Sequence, residues 1–243
     1  MIAQLMVWAV TGAEGIPIPY SPRMDDGITV VLLCCFFLSA YVLSRSRKFL
    51  LQLVKDFLLH RERTSIFATS TAADMRYLLL LILQTCVLAG VCLFNYFNDV
   101  RPELVTHVPP FLLLGIYIGV CLLYLFFKWL LYSFLGWIFF DESTTTLWIE
   151  SYTTLLYYLG FSLFPFALFI VYFDLNLQLT IIIGLILFFF AKILMLYKWI
   201  KLFCDNLYGS LLLILYFCAL EIIPCFMLYQ GMMQLNDYLI IKF

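Results

Sequence analysis

Apolar residues gather along this chain into six stretches without a single Asp, Glu, Lys or Arg: residues 28–43, 77–97, 111–127, 151–173, 175–191 and 206–220. A strand of a membrane barrel would be ~10 residues long with alternating polarity. These runs are longer and apolar on every face, so they predict helices. A helix that crosses a bilayer needs about 20 apolar residues. Extended to their natural boundaries, the runs predict spans at 28–43, 77–97, 111–128, 151–173, 175–197 and 207–229. The last of these has to carry Glu221 inside it. The expected fold is all-α: a polytopic transmembrane bundle of six helices, paired as three hairpins over 28–97, 111–173 and 175–229. A segment at 1–27 precedes it and a tail at 230–243 follows.

The polar gaps refine this picture. Between the first two runs, Phe49, Leu50, Leu53, Phe57 and Leu58 recur at helical spacing with Lys48, Lys55 and Arg61 on other faces. That pattern predicts an interfacial amphipathic helix at about 46–60, with Arg45, Arg47, Lys48, Lys55, Arg61 and Arg63 facing anionic headgroups. Thr71-Ala-Ala-Asp74 fits a capping box opening the second span. Residues 132–140 suggest another interfacial stretch, with Gly136 permitting a bend. Lys48-Phe-Leu, Lys128-Trp-Leu and Lys198-Trp-Ile mark similar boundaries on alternate helices, and Phe67-Ala-Thr-Ser-Thr-Ala parallels Phe140-Asp-Glu-Ser-Thr-Thr. A hairpin duplication would produce both, although boundary chemistry alone yields the lysine–aromatic pairs.

Composition supports membrane insertion and charge sets the orientation. The chain is 65% hydrophobic and 12% charged, against about 25% charged in a soluble domain. With the N-terminus outside, eleven basic residues fall on the inner side and three, Arg23, Arg101 and Lys242, on the outer. Positive charge collects on the cytoplasmic side, so both termini are expected outside the cytoplasm and the helix at 46–60 on its face. Residues 1–10 are apolar, but no basic stretch precedes them as in a signal peptide. Residues 1–27 therefore read as a short external segment carrying Pro17, Pro19 and Pro22.

Candidate chemistry is sparse. Glu221 lies about 21 Å along the sixth helix at ~1.5 Å rise per residue, where a carboxylate is expensive and turns towards the bundle interior, a partner or water. Pro224 cannot donate to the carbonyl of Leu220, so a freed acceptor sits beside the acid. The functional reading is a proton or cation site at a kinked helix; the commoner role of such a residue is packing glue between helices. Lys192 is the natural counter-charge, yet it lies only ~12 Å along its own helix and snorkelling inward is the simpler expectation for it. Gln84, Thr85 and Asn95 are further possible partners. Asp141-Glu142 point apart on a helix and have no third ligand, which leaves a weak case for a lipid-modifying enzyme. The eight cysteines form no CxxC, and His60 and His107 are isolated, so no metal site and no cofactor are expected. No P-loop, HExxH or nucleic-acid module is present.

The run Leu-Tyr-Phe-Cys-Ala-Leu-Glu-Ile-Ile-Pro at 215–224, the segment Glu-Gly-Ile-Pro-Ile-Pro-Tyr-Ser-Pro at 14–22 and Asp-Phe-Leu-Leu-His-Arg-Glu-Arg at 56–63 together resemble a Bacteroidota polytopic membrane family known only as a domain of unknown function. The resemblance implies a multi-pass protein of a bacterial inner membrane and brings no activity with it. From the sequence, the leading expectation is a non-enzymatic accessory subunit that binds other membrane proteins in the cell envelope. The alternative is a small proton-coupled carrier using Glu221.

Overall fold

In a computed structural model, residues 20–59, 72–139, 142–173, 175–203 and 207–242 are described, some by backbone alone, and they form helices with short connections and no strand among them. A 3-10 turn at Pro22–Met24 leads into α1 (Asp26–Leu59), α2 (Ala72–Val100), the short α3 (Glu103–His107), α4 (Pro110–Phe139), α5 (Glu142–Tyr172), α6 (Leu177–Phe203) and α7 (Leu207–Lys242). Five of these contain stretches long and apolar enough to cross a bilayer: Asp26–Arg47, Arg76–Val100, Pro110–Ile138, Thr145–Tyr172 and Leu177–Lys198. In hydrocarbon each backbone N–H and C=O must find its partner inside the segment, which is why such runs fold as helices. Proline opens α4, where the missing N–H satisfies no one's need. Asp25 closes the start of α1 by accepting the Gly27 N–H at 2.8 Å and the Tyr20 hydroxyl at 2.5 Å. Burial, then the neighbouring Asp25 carboxylate, push the Tyr20 phenol above its ordinary range.

The helices outrun the charge-free stretches that predicted them. Charge exclusion marks what lipid forbids, whereas backbone hydrogen bonding carries on through charged turns once a helix is nucleated. Two expectations change as a result. Residues 132–139 are no separate interfacial stretch: α4 runs on uninterrupted, and Gly136 is a contact point where a Cβ would collide with the side chain of Thr145 on α5. The expected tail from 230 is, through Lys242, the last turns of α7.

The region predicted as an amphipathic helix at 46–60 continues α1 across a kink at Ser46 (φ −115°, ψ 17°). Just past the kink, Leu50 is buried with Val42, Leu78, Leu81 and Tyr157, and the Tyr158 hydroxyl donates to its carbonyl at 2.7 Å. The start of this segment is thus anchored to α2 and α5. The Thr71 capping position and residues 60–71 lie outside the described residues, as does the paired stretch at 140–141.

α2 is the hub, packed chiefly against α5 and α4 and then α1. Small residues permit the closest approaches. A Cβ on Gly90 would sit 3.1 Å from the backbone nitrogen of Ile118 and 3.2 Å from its Cα, so α2 and α4 touch backbone to backbone. Gly160 of α5 gives the same room to Thr85, whose hydroxyl donates to Leu81 at 2.8 Å and reaches the Leu156 carbonyl at 3.3 Å. α7 stands apart: its backbone packs against α3 and α6 and reaches α4 mainly through long side chains.

Candidate functional site: a Lys–Glu–Lys cluster

Those long side chains form three rungs between the antiparallel α4 and α7. Nearest the α3 end, the buried Tyr117 hydroxyl donates to Asn236 Oδ1 at 2.9 Å, with an exposed ion pair between Arg101 and Asp237 beside it. Further along, the Tyr124 hydroxyl meets Cys225 Sγ at 3.0 Å. The third rung is ionic: Lys128 Nζ lies 2.5 Å from Glu221 Oε2. Counted along α4, eleven residues separate Tyr117 from Lys128, or about 16 Å of helix. A further eleven residues carry α4 on to Phe139, so the ion pair lies well inside the bundle.

A second cation joins the same oxygen. Lys192, on α6, donates to Glu221 Oε2. Lys128 is 1% exposed and Glu221 2%, while Lys192 retains 25%. Aromatic rings line the two ammonium groups. Lys128 Nζ is 5.8 Å from the Tyr124 ring centroid and 5.4 Å from that of Tyr132, whose hydroxyl lies 3.3 Å away; Lys192 Nζ is 5.2 Å from the Phe188 ring. Ring faces attract desolvated cations. Tyr132 is itself fixed by edge contacts with Trp148 and Tyr152, at 5.4 Å and 5.2 Å between centroids. Glu221 Oε1, by contrast, is buried without a hydrogen-bond partner among the described residues.

The arrangement is unbalanced in charge. Two ammonium groups share one carboxylate, and that carboxylate is held by one of its two oxygens. Burying an unpaired charge is strongly unfavourable, so the excess positive charge favours release of a lysine proton or recruitment of an anion. Pro224, one turn beyond Glu221, lies inside α7 and leaves the Leu220 carbonyl without its usual donor. The carboxylate therefore sits beside a weakened point of its helix.

Of the residues singled out from sequence, Glu221, Pro224 and Lys192 come together. Lys192 pairs rather than snorkels, and the reason is helix length. α6 extends eleven residues beyond Lys192 and α7 begins fourteen before Glu221, so their depths differ by only ~5 Å, within reach of a lysine. Gln84 lies elsewhere: its Nε2 donates to Ser39 Oγ of α1 at 2.5 Å. Thr85 serves the α2–α5 contact. Arg45 and Arg47 are exposed around the α1 kink; Lys48 and Lys55 are described by backbone only, and Arg61, Arg63 and Asp141 lie outside the described residues. Glu142 is exposed in the first turn of α5.

Lys128 is the member that sequence reading missed, together with its flanking Tyr124 and Tyr132. It reads as a boundary lysine because it interrupts charge-free sequence at the end of a bilayer-length run. The signal was the apolar run 129–139 that follows it, which places the lysine inside a helix rather than at its end.

Helices alone among the described residues, five of them bilayer-length and apolar, with a charged cluster buried where they meet α7, mark a multi-pass membrane protein. The family model described as "Domain of unknown function (DUF4271)" matches residues 28–232, and the chain belongs to that family. The matched region takes in Lys128, Lys192 and Glu221. Neither the curated proteins nor the solved structures yield a match.

Proposed function

We propose that this protein is a small proton-coupled carrier of a bacterial inner membrane, with Glu221 as the group that takes up and releases the proton. The observation that carries this reading is the sharing of one buried carboxylate oxygen by Lys128 and Lys192. Ionisable side chains at membrane depth are costly and mark substrate or proton pathways. A carboxylate fixed by one oxygen, beside a proline, is suited to changing partners. In this reading α7 supplies a sixth span, the segment after Ser46 lies along the cytoplasmic face, and both termini are external, as the distribution of Lys and Arg favours.

Proteoliposomes loaded with a pH indicator and given an external acid pulse test the proposal across small anionic, cationic and neutral solutes. At least one solute is expected to drive proton influx that Glu221→Gln removes. If no solute does so in folded protein, the carrier reading is wrong.

A non-enzymatic subunit of an envelope complex is the second reading. It is favoured by α6, of whose apolar span only 11% is buried within the chain. Recurrent copurification of one membrane partner from mild detergent, without any Glu221-dependent flux, would select it.

A further inference from the structure

We infer that the cluster is a binding site for a small monovalent anion of the carboxylate type, and that Glu221 competes with this anion for the two lysines. The inference rests on the carrier reading and names its substrate class. It starts from charge. With Glu221 ionised, its Oε2 is the counter-charge for Lys128 at 2.5 Å and for Lys192. A proton arriving on Glu221 cancels that charge and leaves two ammonium groups facing each other in an apolar setting of Tyr124, Tyr132 and Phe188. Such a pair must either lose a proton or take up an anion, and the anion is the outcome we infer. A carboxylate from solution reproduces the contacts that Glu221 has given up.

Three further features fit this exchange. Glu221 Oε1 has no hydrogen-bond partner among the described residues, so only one oxygen has to be released. A carboxylate serving as a permanent structural lock would need its remaining lone pairs satisfied as well. Pro224 weakens α7 just where the side chain must withdraw. Lys192, with 25% exposure, is the cation that an arriving anion meets first. A cationic substrate is disfavoured because it would face two ammonium groups. The titratable groups around Glu221 are Lys128 and Tyr124 on α4, Lys192 on α6, Cys225 on α7 and, behind Tyr132, Tyr152 on α5. Lys128 and Lys192 are the two basic side chains among these.

The balance is one proton bound to Glu221 for one anion bound to the lysines. The site therefore gains no net charge on loading, and transport is electroneutral symport.

Pyruvate is a suitable probe, being a small monocarboxylate. Proteoliposomes with acid outside are expected to accumulate labelled pyruvate towards roughly tenfold per pH unit of gradient, the equivalent of one coupled proton. Clamping the membrane potential with valinomycin and potassium should leave that ratio unchanged, and protein-free liposomes set the background. In Glu221→Gln the accumulation should no longer follow the pH gradient. Thermal unfolding in detergent supplies a reading independent of flux. Pyruvate should raise the Tm of the native protein at acid but not alkaline pH, and that of Glu221→Gln at both, because the amide imitates the protonated acid. Glu221-dependent proton influx driven only by a cation or a neutral solute would overturn the anion assignment while leaving the carrier reading intact. No Glu221-dependent influx with any solute would remove both. Stabilisation by pyruvate that ignores pH in the native protein would also refute competition with Glu221.

Discussion

At the scale of single residues, the cluster behaves as an ion pair with one cation too many, and this sets an order among substitutions. Glu221→Leu strands the buried Lys128 ammonium and the half-buried one of Lys192, and breaking a buried pair in this way costs about 3–5 kcal/mol. Lys128→Met leaves Lys192 and Glu221 as a matched pair, so it should be distinctly milder. Adding Lys128→Met to Glu221→Leu should then recover part of the loss, since one of the two stranded charges goes. Denaturation in detergent measures all three, and a Lys128→Met loss equal to that of Glu221→Leu would contradict the shared-oxygen geometry. A second comparison comes from the rung beside α3. Tyr117→Phe leaves Asn236 buried without its donor, which costs about 1–3 kcal/mol. Arg101→Ala removes a solvent-exposed pair to Asp237, worth about 0–1 kcal/mol. The hydroxyl, and not the guanidinium, should thus hold the far end of α7.

At the scale of elements, the backbone contact of α2 with α4 is the least forgiving. Gly90→Ala puts a Cβ against the main chain of Ile118, where no side-chain rotation relieves it. Overpacking of this kind costs about 1–3 kcal/mol, and the variant should show a lowered Tm in detergent; an unchanged Tm would mean the helices separate easily. The same elements show what the sequence could and could not tell. Exclusion of charge from 77–97 or 151–173 is a direct imprint of lipid, so five of the six predicted spans were legible among the described residues, the one at 207–229 not being among them. Helix ends were not: α4 continues past Lys128 through a second charge-free run, and α7 continues past 229 into more polar sequence on backbone hydrogen bonds. Helix ends set too early hide Lys128, which reads as a boundary residue, and exaggerate the depth mismatch between Lys192 and Glu221. Glu221 itself was legible as the single acid inside an apolar run. Gln84 was not placed correctly, because helix-face periodicity says nothing of which neighbour, here Ser39 of α1, a polar side chain will meet.

At the scale of the whole molecule, a tightly packed body of α1, α2, α4 and α5 carries α6 and α7 at its side. The charged cluster lies at the junction of the two parts, fixed to the body by Lys128 and to the periphery by Lys192 and Glu221. A change of partner at Glu221 is therefore coupled to the seating of α7, which the Tyr117–Asn236 contact holds at its other end. The distribution of basic residues predicts the orientation of this assembly. Single cysteines introduced at Asp237 and Arg47 in a cysteine-free background should be labelled by an impermeant reagent from opposite sides, Asp237 from outside; labelling from the same side would refute it. The most direct test of Glu221 as the exchanging group is infrared difference spectroscopy of the purified protein in lipid during acidification. The carbonyl stretch of a protonated carboxylic acid should appear, vanish in Glu221→Gln, and grow when pyruvate is added at the same pH. A spectrum without any Glu221-dependent carboxyl band, with or without pyruvate, would show the carboxylate permanently paired with its lysines and contradict a carrier role for the cluster.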